Sequence, residues 1–334
     1  MTRLLRFAAL LAGVLTALSA AAEPIEVTAR RIDSFAITSG ESRFGPLEFL
    51  GGLDLVSPDR RFKGLSGVEV TPDGKTVLIV SDEGHFVRAR LLYEHGHLAG
   101  LGDVDLTPVF PGRRVDKHES DAEDLALDPG RPGEALVVFE RRSTPLIRFR
   151  LAEDGLREPQ ILELPSAATR LPGNKALESV AFLPPQSRWP GHVLIVAERP
   201  PRGAGNRIPA WIVGVGELSV LRQEDFDVTS VRFLPDGDLM LLERRYVPGR
   251  GVSMRLRRVA GEAVQPGASL DGELLLDVGM LHQIDNMEGL AVHRDGDGRT
   301  VLTLVSDDNG SILQRTLLLQ FALGEPARRA APAE

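Results

Sequence analysis

The hydrophobic pattern of the chain consists of paired short segments separated by a turn. In each pair the first segment alternates apolar and polar positions, as at Val68 and Val70 or at Leu125 and Leu127. A turn containing Pro, Asp or Gly follows, and the second segment is apolar without interruption, as over residues 77–80. Alternation predicts a β-strand with two different faces, whereas an unbroken apolar run predicts a strand that is covered on both faces. Each pair therefore predicts a buried β-hairpin.

This hairpin occurs five times, at intervals of roughly 50 to 60 residues, which is the period of four-stranded propeller blades. The first segments begin at Ser66, Glu123, Glu178, Thr229 and Glu288. Amphipathic segments between the hairpins supply the outer strands. We therefore predict an all-β fold, a single β-propeller of five or six four-stranded blades. The alternative is a β-sandwich, but its strands would not repeat one residue code at one position.

The end of the chain predicts how the propeller closes. The last amphipathic segment, residues 312–323, has no later strand to pair with. Two N-terminal segments, near residues 35–38 and 47–55, can supply that partner. Pairing the two ends of the chain would close the ring with N-terminal strands and would remove an open sheet edge.

The first residues have the pattern of an export signal. Arg3 and Arg6 precede an apolar run over residues 7–18, and Ala20 and Ala22 form a small-x-small cleavage pattern. The apolar run is too short for a membrane span. The sequence contains no Cys, which excludes a lipid anchor on a thiol and thiolate chemistry. We predict a signal peptide over residues 1–22, a propeller domain over 23–325, a disordered tail over 326–334, and a periplasmic or extracellular location.

The charge of the chain limits its partners. The formal net charge is −8 at pH 7, which argues against nucleic acid or an anionic membrane surface. A small anionic or ester substrate remains possible, because a basic cluster or a bound cation can invert the charge inside a site. We expect a monomer that acts on such a substrate.

Acidic residues occupy the two ends of each hairpin that meet in space. The start of the first strand lies beside the end of the second strand in an antiparallel hairpin. The first acidic residues after the second strands are Asp82, Glu140, Glu198, Glu243 and Asp307. Because inner strands surround the channel of a propeller, these residues and the five first-strand residues given above should face one another at one mouth.

A ring of carboxylates is unfavourable unless cations neutralise it. Hard cations suit such a ring, above all Ca²⁺, which takes roughly six to eight oxygen ligands. We therefore predict a calcium site with the ligands Asp82, Glu123, Glu140, Glu178, Glu198, Glu288, Glu243 and Asp307. The alternative is that these repeated polar residues only brace neighbouring blades through hydrogen bonds.

Other residues near this mouth suit catalysis or substrate binding. Glu178 and Glu288 are candidates for a catalytic base as well as for ligands, and His85 is a candidate general acid. The loop His118-Glu119-Ser-Asp121 also contains ligand-type residues. The predicted substrate-binding cations are Lys63, Lys175, Arg141, Arg199 and Arg244.

Several motifs resemble one known family. They are Gly64-Leu-Ser-Gly67, Ser81-Asp-Glu-Gly84, Glu140-Arg141, Asn174-Lys-Ala-Leu-Glu178, Asn286-Met-Glu-Gly-Leu290 and Ser306-Asp-Asp-Asn309. Together they resemble the bacterial phytase-like family, also described as having esterase-like activity. The resemblance implies a propeller related to calcium-dependent alkaline phytases and carries the family's Glu positions onto Glu123, Glu178 and Glu288. The sequence departs from the family pattern at Asp124, where the family has Gly, and at Thr229, where a Glu is replaced.

Three functions follow as hypotheses. The first is a secreted, calcium-assisted hydrolase of phosphoester or related ester bonds with its active site in the central funnel. The second is a non-catalytic propeller of the cell envelope that binds a ligand or partner and uses calcium structurally. The third is a sugar-lactone hydrolase.

Overall fold

The computed structural model describes residues 22–113, 115–140, 145–171 and 176–324 of the chain. Nearly all of the predicted signal peptide and tail therefore lie outside the described residues. No helix in the described ranges has the length and apolar character needed to cross a membrane. The structure begins with four N-terminal strands: β1 (Glu23–Pro24), β2 (Thr28–Ile32), β3 (Arg43–Phe44) and β4 (Leu47–Val56).

Five sheets follow, and each has its first strand innermost. Blade 1 contains β5 (Leu65–Val70), β6 (Thr76–Ser81), β7 (His85–Glu94) and β8 (His97–Pro108), with β1 at its outer edge. Blade 2 contains β9 (Ala122–Leu127), β10 (Glu134–Phe139), β11 (Leu146–Ala152) and β12 (Gly155–Ile161). Blade 3 contains β13 (Leu177–Phe182), β14 (Val193–Ala197), β15 (Arg207–Ile212) and β16 (Gly216–Leu221).

Blade 4 contains β17 (Asp227–Phe233), β18 (Leu239–Val247), β19 (Gly251–Val259) and, after the short β20 (Ser269–Leu270), which pairs with the edge of blade 3, β21 (Glu273–Gly279). Blade 5 contains β22 (Asn286–Arg294), β23 (Thr300–Asp307) and β24 (Thr316–Leu323), completed by β4 and β2. Short helical turns lie in the loops: α1 (Lys117–Ser120), α2 (Ser166–Thr169) and a 3₁₀ turn (Gly261–Ala263).

The five inner strands form a closed ring. They contact one another in the order β5, β9, β13, β17 and β22, and β22 contacts β5 again. The N-terminal strand β4 completes blade 5 by antiparallel pairing with β24, in which Gly52 lies opposite Leu319. The structure confirms the predicted all-β propeller and its closure by an N-terminal strand, and it has five blades.

The segment at residues 35–38 is not one of the closing strands. Ala36 makes only an isolated bridge with His282. Phe35 is fully buried and packs its ring against Phe44 and Phe321. This segment therefore contributes aromatic packing to the core, and of the two N-terminal segments only β4 pairs with β24.

The second strand of each blade is covered on both faces, as the unbroken apolar pattern predicts. In blade 3, Leu194, Ile195 and Val196 are all 0% exposed, although successive side chains of a strand point to opposite faces. Their apolar cluster also contains Leu136 from blade 2 and Leu241 from blade 4. The core therefore lies between the blades, where each blade covers both of its neighbours.

Each inner hairpin has one β-bulge at the same place. The extra residue lies between Leu65 and Val68 in blade 1, and it is Glu123, Glu178, Thr229 and Glu288 in blades 2 to 5. A bulge bends its strand and re-aims a side chain. We call the end of the propeller that contains the five bulges the acidic mouth, and the end that contains the Pro, Asp and Gly turns of the inner hairpins the turn mouth.

Candidate functional site

Carboxylates from three blades meet at the acidic mouth. Glu123, Glu178 and Glu288 are bulge residues of blades 2, 3 and 5. Burial raises the pKa of Glu178 well above its usual range, and the carboxylates of Glu123, Glu198 and Glu288 raise it further. Side chains from different blades influence one another in this way because they face one shared space.

The most compact group of possible ligands lies on blade 2. Carboxylate oxygens of Asp121, Glu123 and Glu140 all lie within 4.8 Å of one another. Burial raises the pKa of Glu123 well above its ordinary value, and Asp121 and Glu140 add to the shift. Burial and the carboxylate of Asp82 raise the pKa of Asp121 to about 6. Such a group is stabilised when a proton or a cation lies among its oxygens.

Asp121 is a site residue that the hairpin alignment missed. The turn α1 precedes it and is capped by the Asp116 side chain, which accepts a hydrogen bond from the Glu119 amide at 2.9 Å. The chain then enters β9 directly after Asp121. The available signal was the run of ligand-type residues in this loop, but the loop has no counterpart in the other repeats and so could not be aligned.

Arg244 supplies positive charge to the shared space. Its Nε lies 3.1 Å from Oε1 of Glu288, and its Nη2 lies 3.5 Å from Oε1 of Glu198. Glu288 also accepts a hydrogen bond from Nδ2 of Asn286 at 2.7 Å. Burial nevertheless raises the pKa of Glu288 to about 7, against the lowering effect of Arg244.

Arg199 lies on the blade 3 side of the same group. Its Nη2 lies 2.9 Å from Oε1 of Glu198, and it also pairs with Asp227. Asp227 in turn lies 2.7 Å from Nη2 of Arg222. A cavity of about 510 Å³ adjoins these side chains and is also lined by Arg244. Guanidinium groups and open space therefore lie directly beside the carboxylates.

The ring of acids continues into blades 5 and 1. Burial raises the pKa of Asp307 to about 8, and Asp82 and Glu288 contribute to that shift, so Asp307 faces both. Burial also raises the pKa of Asp82. Lys117, which sequence reasoning did not select, lies 3.2 Å from Oδ2 of Asp82 and so provides a counter-charge at this part of the mouth.

Lys63 and His85 lie at the rim and not among the bulge glutamates. Nζ of Lys63 lies 3.0 Å from Oε1 of Glu83. His85 begins β7, and its pKa is lowered by burial and by the positive charge of Arg61, while Glu83 and Asp59 act in the opposite direction. The structure therefore pairs Lys63 with an acidic residue of the rim and does not bring His85 to the carboxylate group.

Glu243 is separated from the other predicted ligands. In blade 4, Arg244 occupies the register position that Glu198 occupies in blade 3, so the acid comes one residue too early. Successive side chains of a strand point to opposite faces, and Arg244 therefore takes the place at the mouth. Glu243 is fully buried, and its Oε2 accepts a hydrogen bond from Nε of Arg257 at 2.7 Å. We therefore leave Glu243 out of the candidate site.

Arg141 and Lys175 lie outside the described residues.

Arg232 is a buried cation in the central channel. Its Nη1 and Nη2 lie 2.9 and 2.8 Å from the two carboxylate oxygens of Asp124. It also donates hydrogen bonds to the carbonyl oxygens of Val68 and Val180, at 3.2 and 3.0 Å. Its Nε lies 3.0 Å from Oε1 of Glu69. Groups from blades 1, 2 and 3 can meet one side chain of blade 4 only near the axis, so Arg232 lies inside the channel.

The ion pair of Arg232 with Glu69 could have been predicted from the sequence. The residue between the two alternating apolar positions of each first strand is Ala in three repeats and charged in two: Ala126, Ala181, Ala291, Glu69 and Arg232. A single acid and a single base in a column of small residues are consistent with an ion pair across the axis. Asp124, at the position where the resemblance implies Gly, is a second carboxylate partner of Arg232.

Comparison with known proteins gives one family and several distant structures. The sequence profile of the phytase-like family, described as esterase-like activity of phytase, matches residues 60–310. Curated proteins give no match.

Three solved structures illustrate the likeness. A luciferin-regenerating enzyme has 12% identity and a TM-score of 0.39, with 80% of this chain and 96% of that chain covered. An endo-arabinase from Bacteroides thetaiotaomicron has 11% identity and a TM-score of 0.49, with 81% and 98% covered. The β-propeller domain of Cps50 (Swd1) from Myceliophteria thermophila has 10% identity and a TM-score of 0.40, with 90% and 99% covered. At these values the likenesses say nothing about activity.

The match to the family covers most of the chain. It extends from the loop before β5 to the loop after β23 and so includes all five inner hairpins. The resemblance seen in the motifs is confirmed, and the chain belongs to the phytase-like family.

Proposed function

We propose that the acidic mouth binds Ca²⁺ and hydrolyses phosphoester or related ester bonds of a small anionic substrate. The observation that carries the proposal is the group formed by Asp121, Glu123 and Glu140, whose oxygens lie within 4.8 Å of one another. It lies in the same shared space as Glu178 and Glu288, two carboxyls with raised pKa values.

The donor atoms of this group fit Ca²⁺. All three side chains offer carboxylate oxygens, which hard cations prefer. Two oxygens bound to one Ca²⁺ at about 2.4 Å each can lie at most about 4.8 Å apart, and the group satisfies that limit. Burial and mutual repulsion hold the pKa of Glu123 high, and a bound cation would relieve that repulsion. Asp121, Glu123 and Glu140 would therefore hold the ion, with Asp82 near Asp121.

The other residues of the mouth would act on the substrate. When bound, Ca²⁺ neutralises substrate charge and makes a coordinated water more acidic. A carboxylate whose pKa lies near neutrality is suited to accept a proton from an attacking water, and Glu288, with a pKa of about 7, has this property. Glu178 lies in the same space and is the second candidate for that role. Arg244 and Arg199 would bind anionic oxygens of the substrate through charge-assisted hydrogen bonds.

Hydrolysis assays on the purified protein test this proposal. We expect turnover of at least one substrate among p-nitrophenyl phosphate, bis(p-nitrophenyl) phosphate and p-nitrophenyl acetate. EGTA should abolish it and added Ca²⁺ should restore it. Glu123→Gln should lower activity at least tenfold at limiting Ca²⁺, whereas Glu153→Gln, at an exposed position of the same blade, should leave it unchanged. A protein that is inert towards all three substrates with Ca²⁺ present would contradict the proposal, and turnover of a lactone alone would favour a lactone hydrolase.

A binding function is the second candidate, and one observation favours it. Arg199 and Arg244 already have carboxylate partners in Glu198 and Glu288, so a substrate anion must compete with these ion pairs. In a binding protein, Ca²⁺ would only stabilise the ring. That function predicts a melting temperature that rises with Ca²⁺ and falls with EGTA, without turnover of any ester.

We also propose that the protein acts in the periplasm or outside the cell. The support is the basic, apolar and small-residue pattern of residues 1–22. N-terminal sequencing of the protein recovered from the periplasmic or culture fraction should begin near Glu23. Recovery of the protein with Met1 intact in the cytosol would contradict this location.

A further inference from the structure

Large apolar side chains are exposed on two loops beside the acidic mouth. The loop after β23 contains Ile312, which is fully exposed, and Leu313, which is 88% exposed. The loop before β22 contains Met280 and Leu281, and the segment after β2 contains Ile37; these three side chains are each more than half exposed. Single apolar residues are common on protein surfaces, whereas a group of them marks an interaction site. We call these five residues the apolar ridge.

Hydrogen bonds join the parts of the ridge to one another. The amide of Ile37 donates a hydrogen bond to the carbonyl oxygen of Leu281 at 3.0 Å. The amide of Arg315, in the loop after β23, donates to Oδ2 of Asp285, in the loop before β22, at 3.0 Å. Nη1 of Arg315 also donates to Oε1 of Gln283 at 2.8 Å. The ridge is therefore one connected surface and not a set of residues scattered over the protein.

The ridge borders the acidic mouth. The loop after β23 directly follows Asp307, and its Asp308 accepts a hydrogen bond from the amide of Gly64 at 3.1 Å. The carbonyl oxygen of Gly64 in turn accepts a hydrogen bond from the amide of Asp82 at 2.9 Å. The loop before β22 leads directly into the strand that contains the bulge residue Glu288. A surface bound by the ridge would therefore lie over the acidic mouth.

The tip of the ridge has residues that turn geometry does not explain. Ile312 and Leu313 are the two central residues of a turn, which is closed by a hydrogen bond from the amide of Gln314 to the carbonyl oxygen of Ser311 at 3.1 Å. Such positions favour Gly, Pro, Asn, Asp and Ser, because these residues adopt the required backbone angles or bond to the local backbone. Two large apolar residues add nothing to the turn itself, so their role lies in what they contact outside the chain.

The carboxylates and the guanidinium of the two loops have partners within the protein. Asp308 also accepts hydrogen bonds from Oγ1 of Thr316 and from the amide of Gly310, at 3.1 and 2.9 Å. Nη2 of Arg315 donates to the carbonyl oxygen of Ile284 at 3.3 Å. Removing a polar group from water is unfavourable mainly when it lacks a partner. These loops can therefore leave water at a small cost, while their apolar side chains gain from doing so.

A lipid surface suits the ridge better than a protein partner does. Ile312 and Leu313 project from the tip of a turn, so a protein partner would need a pocket of matching shape. The boundary between the headgroups and the acyl chains of a bilayer accepts projecting apolar side chains without such a pocket. The net charge of −8 disfavours anionic lipids, which attract basic segments. The consistent surface is therefore zwitterionic.

We infer that the apolar ridge inserts into a zwitterionic lipid surface, with the acidic mouth facing the headgroups. Ile312 and Leu313 enter the boundary between headgroups and acyl chains, and the other three side chains of the ridge lie against it. The inference rests on the exposure and the hydrogen bonds of these loops and does not depend on the proposed hydrolytic activity.

Co-sedimentation with vesicles of dioleoylphosphatidylcholine tests the inference. The protein is used in the form that begins near Glu23, so that the apolar segment at residues 7–18 adds no lipid binding of its own. We expect the protein to sediment with the vesicles, also in EGTA, since the ridge contains none of the proposed Ca²⁺ ligands. Leu313→Ser should lower the partition coefficient about threefold, and the double variant Ile312→Ser/Leu313→Ser about tenfold, because apolar area is no longer removed from water.

Leu274→Ser is the matched control for these variants. Leu274 is half exposed and lies in β21, in the half of the strand nearer the turn mouth. The substitution removes the same apolar side chain at a position away from the ridge, and it should leave the partition coefficient unchanged. The melting temperature of each variant checks that it is folded.

Tryptophan fluorescence distinguishes insertion from adhesion to the vesicle surface. Leu313→Trp should show blue-shifted emission on addition of vesicles, and phosphatidylcholine with bromine on its acyl chains should quench that emission. Leu274→Trp should show neither change. Trp189 and Trp211 of the chain contribute the same background to both variants.

Several results would overturn the inference. They are an absence of co-sedimentation at millimolar lipid, full partition of the double variant, and equal quenching in Leu313→Trp and Leu274→Trp. Loss of binding in EGTA by a folded protein would assign the binding to a Ca²⁺ bridge at the acidic mouth instead. A dimer in sedimentation equilibrium that the double variant loses, without vesicle binding, would make the ridge an interface between copies of this chain.

Discussion

Position within a strand decides what each charged residue of this propeller can do. Glu243 and Arg244 are neighbours in β18, yet one is fully buried inside blade 4 and the other lies at the acidic mouth. The sequence predicted acids at the ends of the second strands, and the structure brings Asp82, Glu140, Glu198 and Asp307 to those positions. It could not predict the one-residue offset in blade 4, because that offset depends on the pairing register with β17.

The placement of Glu243 predicts that it affects stability and not metal binding. Glu243→Gln removes the buried carboxylate partner of the fully buried Arg257, which keeps only the more exposed Asp271. Breaking a buried ion pair lowers the free energy of unfolding by about 3 kcal/mol. Urea denaturation in EGTA measures this loss. Glu140→Gln should instead weaken Ca²⁺ binding at least tenfold in a calorimetric titration, while Glu243→Gln should retain the affinity of the unmodified chain. Equal losses of affinity in the two variants would return Glu243 to the site.

The strands and turns of the inner hairpins could be predicted from the sequence, whereas their bulges could not. Alternation and turn residues predicted all five hairpins, because these signals are local. The bulges are a relation between two paired strands and leave no pattern in either strand alone. They nevertheless position Glu123, Glu178 and Glu288. Similarly, Asp121 comes from a loop that occurs in one repeat only, so no comparison of repeats could select it.

Neighbouring inner strands also approach one another closely. A Cβ atom on Gly289 of β22 would lie 2.2 Å from the carbonyl oxygen of Ser66 in β5 and 2.7 Å from Cγ1 of Val305. Blades 5 and 1 can therefore meet only where one strand lacks a side chain. This contact completes the ring of inner strands, next to two of the bulges.

Gly289→Ala should therefore destabilise the propeller. Overpacking of a rigid core lowers the free energy of unfolding by about 1–3 kcal/mol, and thermal unfolding should show a melting temperature lower by several degrees. Gly296→Ala is the matched control, because a Cβ atom there has no neighbour within 4 Å and its backbone is not left-handed. Equal melting temperatures of the two variants would contradict the close packing of blade 5 on blade 1.

At the scale of the whole molecule, the closed ring concentrates acids that would otherwise be far apart in the chain. The sequence predicted an all-β propeller closed by N-terminal strands but left five or six blades open. The hydrophobic pattern does not show whether those strands complete the last blade, as β4 does by pairing with β24, or form a blade of their own. Ring closure brings Asp307 of blade 5 beside Asp82 of blade 1. The resulting electrostatic repulsion is a property of the assembled ring and disappears on unfolding.

Stability without calcium should therefore fall as the pH rises. The folded pKa values of Glu288 and Asp307 are about 7 and about 8, above their ordinary values of 4.5 and 3.8. The folded state holds these protons more tightly, so their contribution is fully present below about pH 4 and is lost as the pH rises through 7 and 8. Urea midpoints in EGTA should be lower at pH 8 than at pH 5, and Ca²⁺ should reduce the difference. A midpoint in EGTA that rises between pH 5 and pH 8 would contradict the raised pKa values.

Carboxylates of the acidic mouth should share one cation. Anomalous X-ray diffraction from crystals of the full-length protein soaked in Ca²⁺, or in Tb³⁺ as a stronger anomalous scatterer, tests it most directly. We expect one strong peak within bonding distance, about 2.3–2.6 Å for Ca²⁺, of the carboxylate oxygens of Asp121, Glu123 and Glu140. A saturating soak that leaves this position empty, with ions bound only at the outer surface of the blades, would contradict it.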